Sequence, residues 1–285
     1  LYDALYGTDM ISEEDGAERG GNYNPIRGGR VIEFSKNFLN ENFPLASGTY
    51  QDIKSFKVTD GKLDITLADD SQAELSDTSK FVGFSGTADN PKGVLLKNNN
   101  LHIEIQIDRD DSVGKDDLAG VKDILVESAI TTIQDCEDSV AAVDGEDKTM
   151  VYSNWLGLMQ GNLEETFEKG GSKMTRKLNP DRDYCSPDGS AFTLPGRSTM
   201  LVRNVGHLMT TPAILDSEGN EIFEGIMDAM FTITIAKHDL LNQTDLKNSK
   251  TGSIYIVKPK MHGPEEVVLT CDLFAAVEKA VGLEP

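Results

Sequence analysis

The sequence predicts an α/β protein built around parallel strands, with a β-rich insertion in the chain. Three short apolar runs each end in polar or charged residues, and a segment with helical periodicity follows each run. This helix–strand alternation is typical of a parallel sheet that is covered by helices. Between positions 45 and 110, in contrast, turn signals and period-two alternation predict antiparallel hairpins. The stretches that contain these runs and their polar ends span residues 130–144, 198–207 and 253–264.

Composition and charge exclude several classes of protein. The chain has 285 residues, with 27 Lys and Arg against 48 Asp and Glu, and a formal net charge of -21. Such an acidic chain is a poor ligand for the phosphate backbone of nucleic acids and for anionic membrane surfaces. No apolar run approaches the roughly 18 residues of a membrane span, and the first residues do not read as a signal peptide. We therefore expect no nucleic acid and no membrane as partner.

The cysteines indicate the redox environment of the protein, and the first residues indicate whether the chain is part of a longer polypeptide. Cys136, Cys185 and Cys271 are odd in number and form no CxxC pair or Cys/His cluster. Neither a disulfide framework nor a zinc site is therefore expected, and a reducing cytoplasm fits. Because the chain begins without Met and reads like the middle of a sequence, we expect an internal portion of a longer polypeptide.

The elements of the insertion can be assigned in chain order. Residues 1–30 are rich in Gly, Asp, Glu and Asn and predict irregular structure, whereas apolar spacing across residues 31–43 predicts a short amphipathic helix. The Asp-Gly pair at 60–61 predicts a tight hairpin turn. Alternation across residues 94–107 predicts a second hairpin. Apolar spacing across residues 116–130 predicts a helix.

Beyond residue 130 the parallel pattern continues with one interruption, at residues 161–197. The interruption contains a basic run at 169–177, which could hold a phosphorylated ligand or form a solvated hairpin. Residues 208–220 predict a loop with a surface turn. Pro264 and the acids after it suit the first turn of a helix. Helices are predicted at 146–159, at 226–241 and from 264 onward.

The candidate site begins where the first apolar run ends. Asp135, Glu137 and Asp138 crowd into four residues there, and ligands of parallel α/β proteins bind at the carboxyl ends of strands. Carboxylates this close repel one another unless a cation, an arginine or a proton joins them. The spacing leaves two alternatives open, a functional site and a solvated acidic turn. The other two runs end in further candidates, namely Arg203, His207, Lys258, Lys260 and His262.

Five stretches, taken together and in this order, resemble the malate synthase G family. The resemblance extends from Leu1 to Pro285 without an obvious break. It is therefore much more specific than a match to a single short motif. The stretches are DCEDSVAAVD at 135–144, NWLGLM at 154–159, NPDR at 179–182, RNVGHLM at 203–209 and TGSIYIVKPKMHGPEEV at 251–267.

This resemblance implies a TIM barrel whose chain carries an inserted α/β domain. A closed (β/α)8 barrel needs eight strands, whereas about three strand–helix units are counted here. The expected fold is therefore α/β, a partial (β/α)8 TIM barrel with an inserted β-rich α/β domain. We expect residues 1–130 to be the inserted domain, 131–160 a barrel strand and helix, 161–198 a hairpin belonging to the insertion, and 199–285 the remaining, truncated barrel part.

The resemblance also implies an acyltransferase of the glyoxylate cycle. The family joins the methyl carbon of acetyl-CoA to the aldehyde of glyoxylate with the help of Mg²⁺, and hydrolysis then frees malate and CoA. Arg203 matches the arginine that contacts glyoxylate and the developing enolate oxygen. Asp135 and Glu137 are candidates for the same site, where they would hold metal-bound water or orient Arg203. Ser139 and Arg176 match positions that contact acetyl-CoA.

The family's direct Mg²⁺ ligands and its catalytic aspartate lie on later strands, so no metal ligand is assigned within this chain. The chain alone is accordingly expected to be inactive or nearly so, and the intact enzyme to be a cytoplasmic monomer acting on small molecules. Two alternatives remain: a citrate-lyase-like C–C lyase of a related barrel, and a non-catalytic binding or scaffold module. Retained affinity for glyoxylate or acetyl-CoA would distinguish an enzyme fragment from the module.

Overall fold

The structure is a computed structural model, and it describes residues 1–127, 130–169, 171–241 and 247–283. The chain forms two compact units. The first unit comprises residues 1–128 and 181–194, and the second comprises residues 129–180 and 195–285. The predicted boundary at residue 130 adjoins residues 128 and 129, and the basic run includes Gly170; all three lie outside the described residues.

The first unit begins with two helices and continues with strands. In chain order its elements are α1 (Tyr2–Tyr6), α2 (Pro25–Asn42), β1 (Ile53–Thr59), β2 (Lys62–Leu67), β3 (Gln72–Ala73), β4 (Phe81–Thr87), β5 (Asn90–Asn98), β6 (Leu101–Ile107), β7 (Val121–Val126), β11 (Arg182–Cys185) and β12 (Ala191–Leu194). The strands form a six-stranded sheet in the order β12-β11-β4-β5-β6-β7 and a three-stranded sheet in the order β1-β2-β3. All pairings within these sheets are antiparallel.

Both predicted hairpins of this unit are confirmed. Asp60 and Gly61 have φ values of 51° and 76° at the turn between β1 and β2. Asn99 and Asn100 have φ values of 49° and 64° between β5 and β6. Positive φ at both central residues is what a two-residue hairpin with the right-handed strand twist requires, and Asn, Asp and Gly tolerate it best. The local sequence was therefore sufficient to locate these turns.

The predicted helix at residues 116–130 is wrong, because residues 121–126 form β7. Ile124 pairs with Ile105 of β6, and the strand extends the edge of the six-stranded sheet. Val121 and Ile124 are buried and three residues apart, which imitates helical spacing. An unpaired edge of β6 offers backbone hydrogen bonds, and β-branched residues suit a strand. Tertiary pairing therefore prevails over the local pattern.

Helix α2 begins at Pro25, earlier than residue 31, because residues 24–27 form a strong start. The Asn24 side chain accepts hydrogen bonds from the backbone N–H groups of Ile26 and Arg27, and proline occupies the first turn. The fully buried Arg27 side chain donates to four backbone carbonyls in the preceding segment. The guanidinium therefore anchors the segment of residues 6–17 to the start of α2.

The second unit contains parallel strands, hairpins and helices. Within the described residues its elements are, in chain order, β8 (Thr131–Asp135), α3 (Gly145–Gln160), β9 (Glu164–Lys169), β10 (Ser172–Lys177), β13 (Thr199–Arg203), β14 (Thr210–Leu215), β15 (Glu221–Phe223), α4 (Glu224–Leu240), β16 (Ile256–Val257) and α5 (Pro264–Val281). A three-stranded parallel sheet in the order β16-β13-β8 organises the unit. Residues 208–220 were predicted as a loop, which is wrong for residues 210–215, because they form β14 and pair with β15.

The core of the second unit lies between its sheet and the helices α3 and α4. Trp155 of α3 is 1% exposed, and its indole Nε1 donates to the carbonyl of Thr232 in α4 at 3.1 Å. Val202 of β13 and Met227 of α4 are buried in the same cluster. These contacts fix the ends of the strands relative to both helices. Among the residues that the structure describes, no helix has the length and apolarity needed to cross a membrane.

Candidate active site

The register of the parallel sheet brings two predicted site residues together. Arg203, the last residue of β13, is the register partner of Asp135, the last residue of β8. The Arg203 guanidinium donates two hydrogen bonds to the Asp135 carboxylate, from Nε to Oδ1 at 2.8 Å and from Nη2 to Oδ2 at 2.5 Å. Two parallel charge-assisted bonds of this kind fix the mutual orientation of both groups. The carboxyl edge of the sheet therefore carries a preformed Asp–Arg pair.

The turn after β8 wraps around the same carboxylate. Its Oδ1 also accepts from the Glu137 N–H at 2.9 Å, and its Oδ2 accepts from the N–H and the hydroxyl of Ser139 at 2.8 and 2.5 Å. The hydrogen bonds from Arg203, followed by those from Ser139 and Glu137, hold the pKa of Asp135 well below its usual range despite its burial. Asp135 in turn raises the pKa of Arg203. Asp135 is therefore a permanent anion at neutral pH and orients Arg203.

A second cation joins the other two acids of the turn. Lys260, just beyond β16, donates from Nζ to Glu137 Oε1 at 2.8 Å and to Asp138 Oδ1 at 2.9 Å. The Glu137 side chain is only 7% exposed, and its Oε2 is buried without a hydrogen-bond partner among the described residues. Asp138 Oδ2 also lies 4.0 Å from Nη2 of Arg203. Arginine and lysine thus relieve the repulsion among the three acids.

Lys258 is the second lysine at the end of β16, and it is buried. Its Nζ donates to the carbonyl of Val205 at 2.5 Å, and burial lowers its pKa. A side chain at Gly225 would collide with this amine, because a Cβ there would lie 2.4 Å from Nζ. Glycine at the start of α4 is therefore required for the lysine to reach the strand end.

A buried charged network beneath the strand ends was missed by the sequence-based reasoning. Nζ of Lys148 in α3 lies 2.5 Å from Oε1 of Glu224 and donates to Oδ1 of Asp228 at 3.0 Å; Lys148 is 2% exposed and Asp228 is fully buried. Tyr152 donates from its hydroxyl to the same Asp228 oxygen at 2.6 Å. Burial would lower the pKa of Lys148, but the two carboxylates outweigh it and raise that pKa. A signal was present, since Lys148 lies on the same helix face as Val151 and Trp155.

The remaining candidates lie apart from this cluster or at its rim. The Arg176 guanidinium lies over the Phe167 ring at 4.8 Å, within the two-stranded β9–β10 hairpin. His207 is hydrogen-bonded through Nε2 to Thr270 of α5 at 2.8 Å. The structure therefore brings together Asp135, Glu137, Ser139 and Arg203, and it places Arg176 on a separate sheet.

Comparison with known proteins identifies the family. The description "Malate synthase G, alpha-beta insertion domain" matches residues 23–98, and "Malate synthase, TIM barrel domain" matches residues 199–285. Malate synthase G of Halalkalibacterium halodurans is 56% identical over 284 residues, covering 100% of this chain and 39% of the relative. Malate synthase G of Corynebacterium efficiens is 53% identical over 283 residues, covering 99% of this chain and 38% of the relative.

The matches run along the whole chain, whereas the chain spans about two fifths of the length of the curated relatives. A third relative, malate synthase G of Corynebacterium glutamicum, is 52% identical with the same coverage of 99% and 38%. The chain has a mixed α/β fold with an insertion-domain region and a TIM-barrel region. The resemblance carried by the five sequence stretches is therefore confirmed, and the chain belongs to the malate synthase G family.

Proposed function

We propose that the protein containing this chain is a malate synthase of the glyoxylate cycle. It would condense the methyl carbon of acetyl-CoA with the aldehyde of glyoxylate and then hydrolyse the thioester to malate and CoA. The observation that carries the proposal is the Asp135–Arg203 pair at the carboxyl edge of the parallel sheet, in a chain 52–56% identical to malate synthase G proteins. Carboxyl edges are where enzymes of this architecture place their reacting groups.

Arg203 is proposed to bind glyoxylate and to stabilise the negative charge that develops on the enolate oxygen. Its Nε and Nη2 are engaged by Asp135, whereas no described residue accepts a hydrogen bond from Nη1. A planar and permanently charged fork can bind Asp135 and still present N–H groups to a substrate carboxylate. Positive charge that is fixed in place before the reaction costs no reorganisation in the transition state. Asp135 supplies that fixation.

Glu137 is proposed to act together with Mg²⁺, through a water molecule on the metal. Its buried Oε2 has no donor among the described residues, and such an oxygen suits a hydrogen bond from metal-bound water. Bound Mg²⁺ would polarise the aldehyde oxygen. No group of three or more His, Cys, Asp or Glu within the described residues could hold a metal ion. We propose that the direct ligands and the carboxylate base come from residues outside this chain.

Acetyl-CoA is proposed to reach the site past Ser139, with Arg176 contributing from the β9–β10 hairpin. Ser139 follows the site carboxylates directly and is exposed. Arg176 is also exposed, and basic side chains suit the phosphates of CoA. Both assignments follow the family positions that these residues match.

For the domains, we propose the division at 1–130, 131–160, 161–198 and 199–285, with the last part contributing strands and helices to an incomplete barrel of about three units. The packing of residues 181–194 with residues 1–128 supports it. The compact units differ from it at residues 161–180, which pack within the second unit. We further propose a cytoplasmic monomer, as the few cysteines and the family resemblance suggest.

The test is release of free CoA from acetyl-CoA by the full-length natural protein, with and without glyoxylate and Mg²⁺. Arg203→Lys keeps the charge but loses the fork, and it should lower kcat/KM by about 100-fold or more. Arg109→Lys is the matched control, because Arg109 also makes two hydrogen bonds at 3.0 Å but lies in the first unit.

Two results would count against the proposal. CoA release that does not depend on glyoxylate would indicate a different reaction, such as that of a C–C lyase or a simple thioesterase. Brisk turnover by the 285-residue chain alone would show that the base and the metal ligands are within it. Glu137 and Asp138 would then be the first acids to reconsider.

A further inference from the structure

The network of Lys148, Glu224, Asp228 and Tyr152 reaches both strand ends that carry the candidate site. Asp228 accepts from the backbone N–H of Val205 at 2.7 Å through Oδ2. Lys148 Nζ lies 3.4 Å from the carbonyl oxygen of Cys136, to which it donates. Cys136 stands between two of the predicted site acids, and Val205 stands two residues after Arg203. One buried ion pair therefore holds the backbone beside both halves of the Asp–Arg pair.

Val205 is held from two sides. Its N–H is bound by Asp228 of α4, and its carbonyl is bound by the buried amine of Lys258 at the end of β16. The preceding residue also contacts α4, since the hydroxyl oxygen of Thr232 lies 3.2 Å from the side-chain oxygen of Asn204. The segment directly after Arg203 is therefore held by contacts from α4 and from the end of the neighbouring strand.

Stability alone is a poor reason for this arrangement. Taking two carboxylates and an amine out of water costs much of what their attraction returns, and apolar replacements of such networks are often neutral or stabilising. What an ionic network provides is directional contact, because its hydrogen bonds place specific backbone groups. The groups placed here are those beside the proposed catalytic pair.

We propose that Asp228, with Lys148 and Tyr152, is a positioning group that holds the strand end of Arg203 in its catalytic geometry. The inference rests on the proposed malate synthase function for its kinetic test. Neither Asp228 nor Lys148 would touch the substrate. Their loss should therefore impair the binding of glyoxylate, which Arg203 is proposed to contact, more than the binding of acetyl-CoA.

The decisive variant is Tyr152→Phe in the full-length protein. It removes one hydroxyl that donates to Asp228 and keeps the ring, which stacks on Phe231 with centroids 4.9 Å apart. Tyr184→Phe is a matched control in the first unit, because its hydroxyl also donates to a buried carboxylate, that of Glu104, at 2.8 Å. The same atom is deleted from the same kind of contact in both variants.

We expect Tyr152→Phe to raise the KM for glyoxylate or lower kcat/KM for it by about tenfold, since small displacements of a positioned group are costly. The KM for acetyl-CoA should stay within roughly twofold, and Tyr184→Phe should change both parameters by less than about twofold. Asp228→Asn should act in the same direction more strongly, because an amide cannot accept from all three donors. Should Asp228→Asn fail to fold, Tyr152→Phe still decides the question.

A second measurement makes the positioning claim independent of catalysis. The ¹⁵N–¹H signal of the Arg203 side-chain Nε, identified by its loss in Arg203→Lys, should shift or exchange faster in Tyr152→Phe but not in Tyr184→Phe. An unchanged signal in Tyr152→Phe, or equal kinetic effects in the two tyrosine variants, would overturn the inference. Absence of glyoxylate-dependent CoA release in the natural protein would instead overturn the proposed function, and the signal would still decide the positioning claim.

Discussion

Lys148→Met is the substitution that tests most directly whether the buried network stabilises the second unit through its charge. The variant keeps a long side chain in the same space but leaves Glu224 and Asp228 without the cation that lies 2.5 and 3.0 Å from them. Removing one partner of a buried ion pair typically costs about 3–5 kcal/mol, because the remaining charge is uncompensated. Asp228 keeps its bonds from Tyr152 and Val205, so we expect the lower end of that range.

Trp155 provides the assay, since it is the only tryptophan of the chain and is buried between α3 and α4. Urea denaturation followed by its fluorescence reports on the second unit, and the midpoint and slope give the free energy of unfolding. Lys260→Met is the control within the same unit, because Lys260 pairs with two acids but is 53% exposed. Equal midpoint shifts in the two variants would refute the reasoning.

Further predictions concern three single residues. Asp135→Asn should lower glyoxylate-dependent turnover by about tenfold or more, because Arg203 loses the anion that orients it. In the natural protein the hydrogen bonds from Arg203 keep the pKa of Asp135 below its usual range, so no loss of activity between pH 5 and 8 should trace to Asp135. Burial raises the pKa of the Cys136 thiol to about 12, so it should react with iodoacetamide at pH 8 only after unfolding. Gly225→Ala should destabilise the second unit by about 1–3 kcal/mol, because the new methyl group displaces Lys258.

Each of these has a simple control and a contrary result. For Asp135, an acid limb of activity above pH 5 that disappears in the asparagine variant would contradict the assigned ionisation. Labelling of Cys136 in the native protein at the rate of the exposed Cys271 would contradict its burial. For Gly225, the control is Gly29→Ala, because Gly29 is exposed, an added Cβ would meet nothing within 4 Å, and its φ is not positive. Gly219→Ala is a poor control, because the positive φ of Gly219 strains any other residue. A Gly225→Ala variant as stable as Gly29→Ala would contradict the predicted clash.

Local features of the fold were predictable because their causes lie within a few residues of sequence. The Asp60-Gly61 turn follows from the positive φ that both residues adopt easily. The start of α5 at Pro264 follows from the proline and the acids of its first turn. The edge strand at 121–126 was not predictable in this way, because its helix-like spacing is resolved only by the partner strand β6.

In the candidate site, too, some features were determined by the sequence and others by the tertiary structure. That Asp135, Glu137 and Arg203 each follow an apolar run, and that the chain belongs to the malate synthase G family, was determined by the sequence. Which cation meets which acid was decided by the tertiary structure. The Arg203–Asp135 bond joins residues 68 positions apart, and it exists because β8 and β13 pair in parallel with these two residues in register.

The buried network was decided by the tertiary structure alone. Lys148 and Asp228 are 80 positions apart, so the place of Lys148 on an apolar helix face could predict its burial but not its partner. When α3 and α4 pack face to face and exclude water, each of the two charges would be costly to bury without the other. Sequence patterns report what a segment prefers by itself, whereas the pairing of distant charges depends on the order and register of the elements between them.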